Sequence, residues 1–184
     1  MATSQQTKNQ KVLLHTCCGP CASACVPRLR ELGYDVALFF SNSNLGTGEE
    51  FERRRAAAEK LAAADGVELI VDAYDHEDWL GNVAKGLESE PEGGRRCELC
   101  FKYNLARTAS CAREGNFDHF TTSLTVSPHK NSSKVFSANS DDRFLKENFK
   151  KNDGFKKSVL RSAELDLYRQ SYCGCEFSRK TTAQ

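Results

Sequence analysis

The chain has 184 residues, and its 26 lysines and arginines nearly balance its 25 aspartates and glutamates, for a formal net charge of +1. A chain of this length buries about 70% of its unfolded surface, so it suits one domain that folds without disulfides. The balanced charge excludes a generally basic protein, and any nucleic-acid surface must therefore be a local patch. The sequence shows neither a long apolar stretch nor an apolar run behind a basic N-terminal segment. We therefore expect a cytoplasmic, reducing setting without membrane insertion or secretion.

Short apolar runs alternate with segments rich in Ala, Glu, Lys and Arg through the first two thirds of the chain. The apolar runs predict buried strands, and the longer charged segments, several of which close at a glycine, predict helices. In chain order the pattern predicts strand 12–15, helix 22–32, strand 36–40, helix 49–64, strand 67–73, helices 75–87 and 97–114, and strand 120–125. This alternation predicts an α/β fold, with a parallel sheet and helices on its faces.

The two ends and the last third of the chain lack such a pattern. Residues 1–10 are polar and are expected to form a disordered extension, and residues 179–184 a C-terminal tail. From residue 127 onward we expect short helices and irregular segments laid over the sheet. Residues 11–178 are thus predicted to form a single α/β domain.

Seven of the nine cysteines fall into three tight groups. Closely spaced thiols in a reducing compartment indicate metal ligands or catalytic thiols rather than a disulfide framework. The first group directly follows the first predicted strand, where ligands bind in open α/β sheets. The groups are Cys17, Cys18 and Cys21; Cys97 and Cys100; and Cys173 and Cys175. We expect the function to lie where these groups meet.

The second group lies near the start of a predicted helix. If Cys97 and Cys100 occupy its first turn, their sulfurs share a face, and the helix dipole favours thiolate over thiol. Two glycines precede the pair and allow close approach of the backbone to a bound group. Arg95 and Arg96 either offset the negative charge of a thiolate site or are solvated surface residues.

The third group has one intervening glycine. A disulfide between Cys173 and Cys175 would close a small, strained ring, which is typical of a redox-active pair. The same residues could instead ligate a metal, or be two buried thiols. Cys25 and Cys111 lie inside predicted helices without a close partner, and we expect them to be small buried hydrophobic residues.

Two other interpretations use part of this pattern. Cys18-Gly19-Pro20-Cys21, between a strand and a helix, matches the thioredoxin active-site sequence. The thioredoxin fold, however, requires a distant proline immediately before an apolar strand, and this sequence has none. The match would also leave five clustered cysteines unexplained. A structural zinc site would use four of the seven thiols and leave three idle. A thioredoxin-like or zinc-stabilised thiol–disulfide protein acting on other proteins is thus the alternative function.

Four ordered segments carry a family resemblance over about 160 residues. They are residues 15–21 (HTCCGPC), 90–101 (EPEGGRRCELCF), 120–124 with 127–131 (FTTSL, SPHKN) and 167–175 (LYRQSYCGC). Together they resemble the QueH-type epoxyqueuosine reductases. The resemblance implies an adenine-nucleotide α-hydrolase-like, Rossmann-like fold. It also implies an iron-sulfur oxidoreductase of queuosine biosynthesis, which reduces epoxyqueuosine to queuosine at the wobble position of tRNA without cobalamin.

The resemblance also implies roles for the clustered cysteines. Cys17, Cys18, Cys97 and Cys100 are the expected ligands of a 4Fe-4S cluster. Cys173 and Cys175 are then a redox-active pair or ligands of a second metal, such as a mononuclear iron. Cys21 either ligates that second metal or lines the site.

Reducing an epoxide to an alkene consumes two electrons and two protons, so proton donors and an electron donor are required. His129, Lys130 and Tyr172 carry movable protons and belong to the matching segments. With Arg96 they are the candidate substrate-binding residues, although each is equally compatible with a loop or surface role. The electron donor is not identified by the sequence.

One segment provides the basic patch that tRNA binding requires. Residues 143–161 contain seven Lys or Arg against two acidic residues, with Phe144, Phe149 and Phe155 interleaved. This composition suits phosphate contacts and base stacking. The alternative is an amphipathic helix whose phenylalanines face the core.

Overall fold

The structure is a computed structural model that describes residues 9–178, so the predicted terminal segments, apart from residues 9 and 10, lie outside it. Four parallel strands form one sheet in the order β3-β2-β1-β4. The strands are β1 (Lys11–His15), β2 (Asp35–Phe40), β3 (Leu69–Val71) and β4 (His119–Thr122). The predicted parallel sheet is confirmed.

The central strand β1 explains why both faces of the sheet are covered. Leu13 pairs with Ala37 and Phe120 on the neighbouring strands, and the strand is buried from Val12 onward. Val12 and Leu14 point into one hydrophobic core, and Leu13 points into the other. A strand buried on both faces is apolar at successive positions, which is what the sequence shows.

Six α-helices within residues 9–178 flank or follow the sheet. They are α1 (Gly19–Glu31), α2 (Gly48–Asp65), α3 (His76–Trp79), α4 (Arg95–Glu114), α5 (Ser132–Ser137) and α6 (Gly154–Glu164). α1 packs against α2 and α6, and α4 covers β1 and β4 on the other face. Gly19 allows the close α1–α2 contact, because a Cβ there would lie 2.6 Å from the Ala57 oxygen. No helix among residues 9–178 has the length and apolar character of a membrane span.

Several predicted boundaries were wrong for local reasons. α1 begins three residues early, because the Cys18 thiol caps the backbone N–H of Cys21. The predicted helix 75–87 is only α3 followed by a π-helical turn, Leu80–Ala84. The predicted strand 120–125 ends at Thr122, whose hydroxyl accepts from the Leu124 N–H and starts a 3-10 helix, Ser123–Val126.

Candidate metal centre

The first cysteine group lies at the carboxyl end of β1. Because β1 lies between β2 and β4, the chain leaves β1 in one direction and returns on its other side, which creates a crevice at the strand ends. Ser123 follows β4 and bonds Cys17 twice: its Oγ accepts from the Cys17 N–H at 3.1 Å and donates to the Cys17 Sγ at 3.4 Å. The strand order thus places these cysteines at a ligand-binding position.

His15, the last residue of β1, holds the ends of three neighbouring strands together next to these cysteines. Its ring is fully buried, with Nδ1 2.8 Å from the Thr122 hydroxyl and Nε2 3.1 Å from the Ser41 carbonyl. Burial lowers the pKa of His15 to about 4, so the ring is neutral near pH 7. Nε2–H then donates to Ser41, and Nδ1 accepts from Thr122. One imidazole therefore ties together the ends of β1, β2 and β4.

Cys17, Cys18 and Cys21 form a compact thiol group. Their sulfurs lie within 4.8 Å of one another, and those of Cys17 and Cys18 are 3.9 Å apart. Hydrogen bonds from Cys17 and Cys21 lower the pKa of Cys18 well below its usual range, and the side chain of Gln170 contributes. The contact with Cys18, together with burial, raises the pKa of Cys17 to about 12, and the contacts with Cys17 and Cys18 raise the pKa of Cys21. Cys18 is thus the first thiolate of the group.

Cys97 and Cys100 lie in the first turns of α4, whose N-cap is Gly94. The predicted helix therefore exists but begins two residues early. The Gly93 N–H donates to the Cys97 Sγ at 3.2 Å, and the Asn104 amide donates to the Cys100 Sγ at 3.6 Å. Burial raises the pKa of both thiols, and the neighbouring Cys173 raises both further. A positive group or a bound metal would stabilise their thiolates.

The C-terminal segment brings the third cysteine group to the other two. Arg54 donates to the carbonyl oxygens of Cys173, at 2.9 Å, and Tyr172, at 3.3 Å. The Gly174 carbonyl accepts from the Gly46 N–H at 3.1 Å. All nine cysteines lie among the described residues as free thiols, Cys173 and Cys175 included.

Lys130 places a cation beside the sulfur of Cys173. Its Nζ lies 3.4 Å from the Cys173 Sγ. Burial alone would lower the pKa of Lys130, but the thiol groups of Cys173, Cys17 and Cys21 more than reverse this and raise it. Lys130 is therefore a stable positive charge between the first and third cysteine groups.

A cavity of about 810 Å³ joins the three groups. Cys17, Cys21, Cys100 and Cys173 line it, so each group contributes at least one thiol. The cavity lining does not include Cys18, Cys97 or Cys175. Among the described residues, only the first group packs three sulfurs within 4.8 Å. Asn42, Asn44, Arg54, Phe101, Leu124, Phe155, Arg169 and Gln170 also line the cavity.

The predicted substrate-binding residues separate into two sets. His129, Lys130 and Tyr172 line the cavity. Arg96 does not: it is 1% exposed, and its Nη1 donates to the carbonyl oxygens of Leu87, Glu88 and Glu90. Arg96, in the first turn of α4, therefore holds the loop before this helix, and its role toward the substrate stays a prediction. Burial raises the pKa of Cys175, and the Arg96 charge partly offsets this rise.

The packing of the side chains tests the predictions for the two isolated cysteines and for the basic segment, residues 143–161. Cys25 is fully buried, as predicted, whereas Cys111 is only half-buried. Phe144 and Phe149 are buried in the core, so they do not stack on RNA bases. The segment is also not one amphipathic helix, because residues 145–153 form irregular structure and turns before α6. Phe155 is the exposed phenylalanine of the three.

Residues that sequence reasoning missed support the cysteines from outside their groups. The Gln170 amide donates to the Cys18 Sγ at 3.1 Å. Arg54 pairs with Glu50 at 2.6 Å, and the Tyr168 hydroxyl donates to the other Glu50 oxygen at 2.9 Å. Gln170 and Tyr168 lie in the segment before Cys173 that carries the resemblance. Nothing local in the sequence marks Glu50 and Arg54, apart from a spacing common to many exposed helical ion pairs.

Known proteins resemble this chain along most of its length. The family model described as epoxyqueuosine reductase QueH matches residues 12–181. The epoxyqueuosine reductase QueH of Streptococcus pyogenes serotype M1 is 35% identical over 188 residues, which cover 96% of this chain and 73% of that protein. The QueH protein of Thermotoga maritima is 35% identical over 176 residues, covering 91% of this chain and 89% of its own length.

A solved structure supports the fold. The U34-tRNA thiolase NcsA from Methanococcus maripaludis, solved with its 4Fe-4S cluster, superposes with a TM-score of 0.52 at 14% identity. The match covers 98% of this chain, which spans 65% of that one. At this identity the likeness shows the fold alone, and it agrees with the predicted α/β fold with a parallel sheet. The family match over residues 12–181, together with the relatives at 35% identity, shows that the chain belongs to the QueH family of epoxyqueuosine reductases.

Proposed function

We propose that this protein reduces the epoxide of epoxyqueuosine to the alkene of queuosine at the wobble position of tRNA. We further propose that Cys17, Cys18, Cys97 and Cys100 hold a 4Fe-4S cluster. The observation that carries the proposal is that thiols from three distant segments reach one cavity of about 810 Å³. Such a cavity has the size of a site for a small organic group, here one modified nucleoside.

The residues present fit an iron-sulfur cluster by their chemistry. Thiolate sulfur is the ligand that such clusters use, and hydrogen bonds to the sulfurs tune their potential. Donors are already in place: Gln170 on Cys18, the Gly93 N–H on Cys97 and Asn104 on Cys100. When bound, the cluster would supply electrons one at a time.

Three cysteines are left for a second role. Cys173 and Cys175 serve either as a redox-active pair or as ligands of a second metal, such as a mononuclear iron. Cys21 supplies a further ligand to that metal or lines the site, since its sulfur lies with those of Cys17 and Cys18. The iron content of a Cys173→Ser variant distinguishes the two roles of Cys173.

The polar residues that line the cavity stabilise charge and donate protons in the proposed epoxide reduction. Negative charge develops on the departing oxygen, and the Lys130 ammonium, whose raised pKa keeps it protonated, would stabilise that charge. His129 and Tyr172 also line the cavity and are the candidate proton donors. An external electron donor supplies the two electrons.

The proposed activity is tested on protein purified without oxygen. It should contain iron and sulfide, and with a chemical reductant it should convert epoxyqueuosine in tRNA to queuosine, detected by mass spectrometry of the nucleosides. A colourless, iron-free preparation with full activity would contradict the proposed cluster. An iron-free preparation without activity on epoxyqueuosine would favour the thiol–disulfide alternative based on Cys18-Gly19-Pro20-Cys21.

Cys97→Ser is expected to lose most of the cluster iron, because a hydroxyl is a much poorer ligand for iron-sulfur clusters than a thiolate. Iron and sulfide assays under anaerobic conditions measure the loss. Cys111→Ser is the matched control, because Cys111 lies on the same helix α4 but belongs to none of the three cysteine groups. Full iron content in Cys97→Ser would rule out this residue as a ligand.

Cys173→Ser is expected to abolish turnover. If Cys173 and Cys175 form a redox-active pair, most of the cluster iron stays in place in this variant. A joint loss of turnover and of part of the iron would instead assign Cys173 to a second metal. Unchanged turnover would remove the residue from the reaction altogether.

A further inference from the structure

We propose that Phe155 and Arg169 form a stacking platform at the rim of the cavity, which takes the base of an RNA nucleotide next to the one that enters it. The inference rests on the proposed function, because it requires an RNA substrate. It adds a binding site for a neighbouring base outside the cysteine-lined cavity. Both residues line that cavity, and Phe155 is also 38% exposed, so the lining reaches the protein surface there.

Phe155 does not pack in the hydrophobic core. It is 38% exposed in the first turn of α6, whereas Phe144 and Phe149 are 6% and 3% exposed in the core. α6 packs against α1 with small residues, because its buried positions are Gly154, Ser158 and Ser162. The aromatic ring is therefore left outside the core, at the edge of a cavity.

Arg169 holds its guanidinium against this ring. The central guanidinium carbon lies 5.4 Å from the ring centroid of Phe155, and Nη1 is 3.3 Å from the Ser162 Oγ. Guanidinium planes and aromatic rings are the two surfaces on which proteins stack unpaired bases. Phe155 and Arg169 together present both kinds of stacking surface at one place.

The charge around the platform suits a nucleic-acid strand. Lys151, Lys156 and Lys157 are exposed beside Phe155, and Asp153 is the single acidic residue between positions 148 and 163. Lysines near an exposed aromatic ring can contact the phosphates on either side of a stacked base. A protein partner would need no such combination of a stacking plane and phosphate-binding charges.

The platform explains how one nucleoside could be presented to the thiols. A base inside a helix cannot reach a buried site, whereas loop bases can be splayed out and held on aromatic groups. Stacking of the neighbouring base would fix the strand at the rim and direct the modified nucleoside inward, toward Cys17, Cys100 and Cys173. The platform therefore contributes to RNA binding and not to the reaction itself.

The test compares anaerobically purified holoenzyme variants for binding of an unmodified anticodon stem–loop RNA. Phe155→Ala is expected to weaken binding about 5- to 150-fold, the loss typical of one stacked base. Phe155→Trp should retain binding. Leu160→Ala is the matched control, because Leu160 is 55% exposed on the same helix and does not line the cavity. Unchanged affinity in Phe155→Ala, or an equal loss in Leu160→Ala, would overturn the platform.

Two further measurements separate stacking from charge and from the proposed function. Lys156→Ala should reduce the salt dependence of RNA binding, whereas Phe155→Ala should leave that slope unchanged. A reduced slope in Phe155→Ala would argue against stacking. A wild-type protein that binds the RNA through Phe155 but never reduces epoxyqueuosine would overturn the proposed function and support the platform.

Discussion

Replacing Arg54 with glutamine is expected to lower the free energy of unfolding by about 3–5 kcal/mol. Arg54 is 2% exposed and Glu50 5% exposed, and their Nε and Oε1 atoms are 2.6 Å apart. Removing the guanidinium leaves a buried carboxylate whose remaining partner is the Tyr168 hydroxyl. The desolvation cost of that carboxylate is then uncompensated, which is the main origin of the loss.

The neighbouring Arg55 provides the control. Its partners Glu52 and Glu59 are about half exposed, so Arg55→Gln should cost only about 0–1 kcal/mol. Urea unfolding of both variants, without bound iron, measures the difference. Equal effects would show that the buried pair has no special importance. Arg54→Gln should also lose turnover, because Arg54 holds the backbone of Tyr172 and Cys173.

Gly174→Ala is expected to abolish turnover while the protein stays folded. Gly174 has a φ of +133°, which residues with a side chain rarely adopt. An added Cβ would lie 2.4 Å from the Leu45 Cδ2 and 3.2 Å from the Arg54 Nη1. The methyl group therefore pushes the segment that carries Cys173 and Cys175 away from the other thiols.

Turnover and the rate of Cys173 alkylation in iron-free protein measure this displacement. Alkylation should be slower in Gly174→Ala, because Cys173 would lose its contact with the Lys130 ammonium, whose positive charge stabilises an attacking thiolate. Gly33→Ala is the control: its φ is +87°, but nothing lies within 4 Å of the added Cβ. It should cost about 1 kcal/mol of stability and no activity. Normal turnover in Gly174→Ala would mean that the segment tolerates the shift.

Much of the fold follows from local patterns. The apolar runs of β1 and β2 and the charged, alanine-rich sequence of α2 each indicate their element directly. The errors occur where side chains compete with regular structure. The Thr122 hydroxyl ends β4 early, and the Cys18 thiol starts α1 early, because each bonds a nearby backbone N–H.

The phenylalanines of the basic segment show a second kind of limit. Phe144, Phe149 and Phe155 stand in similar sequence surroundings, yet the first two are buried and the third lies at the cavity rim. Spacing along an irregular segment carries no period from which burial could be inferred. The contacts of Arg96 show a related limit, because the three carbonyls that bind it lie in a loop.

Residue types and their short-range spacing predicted the parallel α/β fold, the three cysteine groups and, through four ordered segments, the family. The chain carries this information locally. Packing of the folded chain instead sets which thiols face the cavity, how Arg54 holds the C-terminal segment, and the contact of Phe155 with Arg169. Those contacts join residues far apart in the chain, and their distances depend on how the helices pack on the sheet.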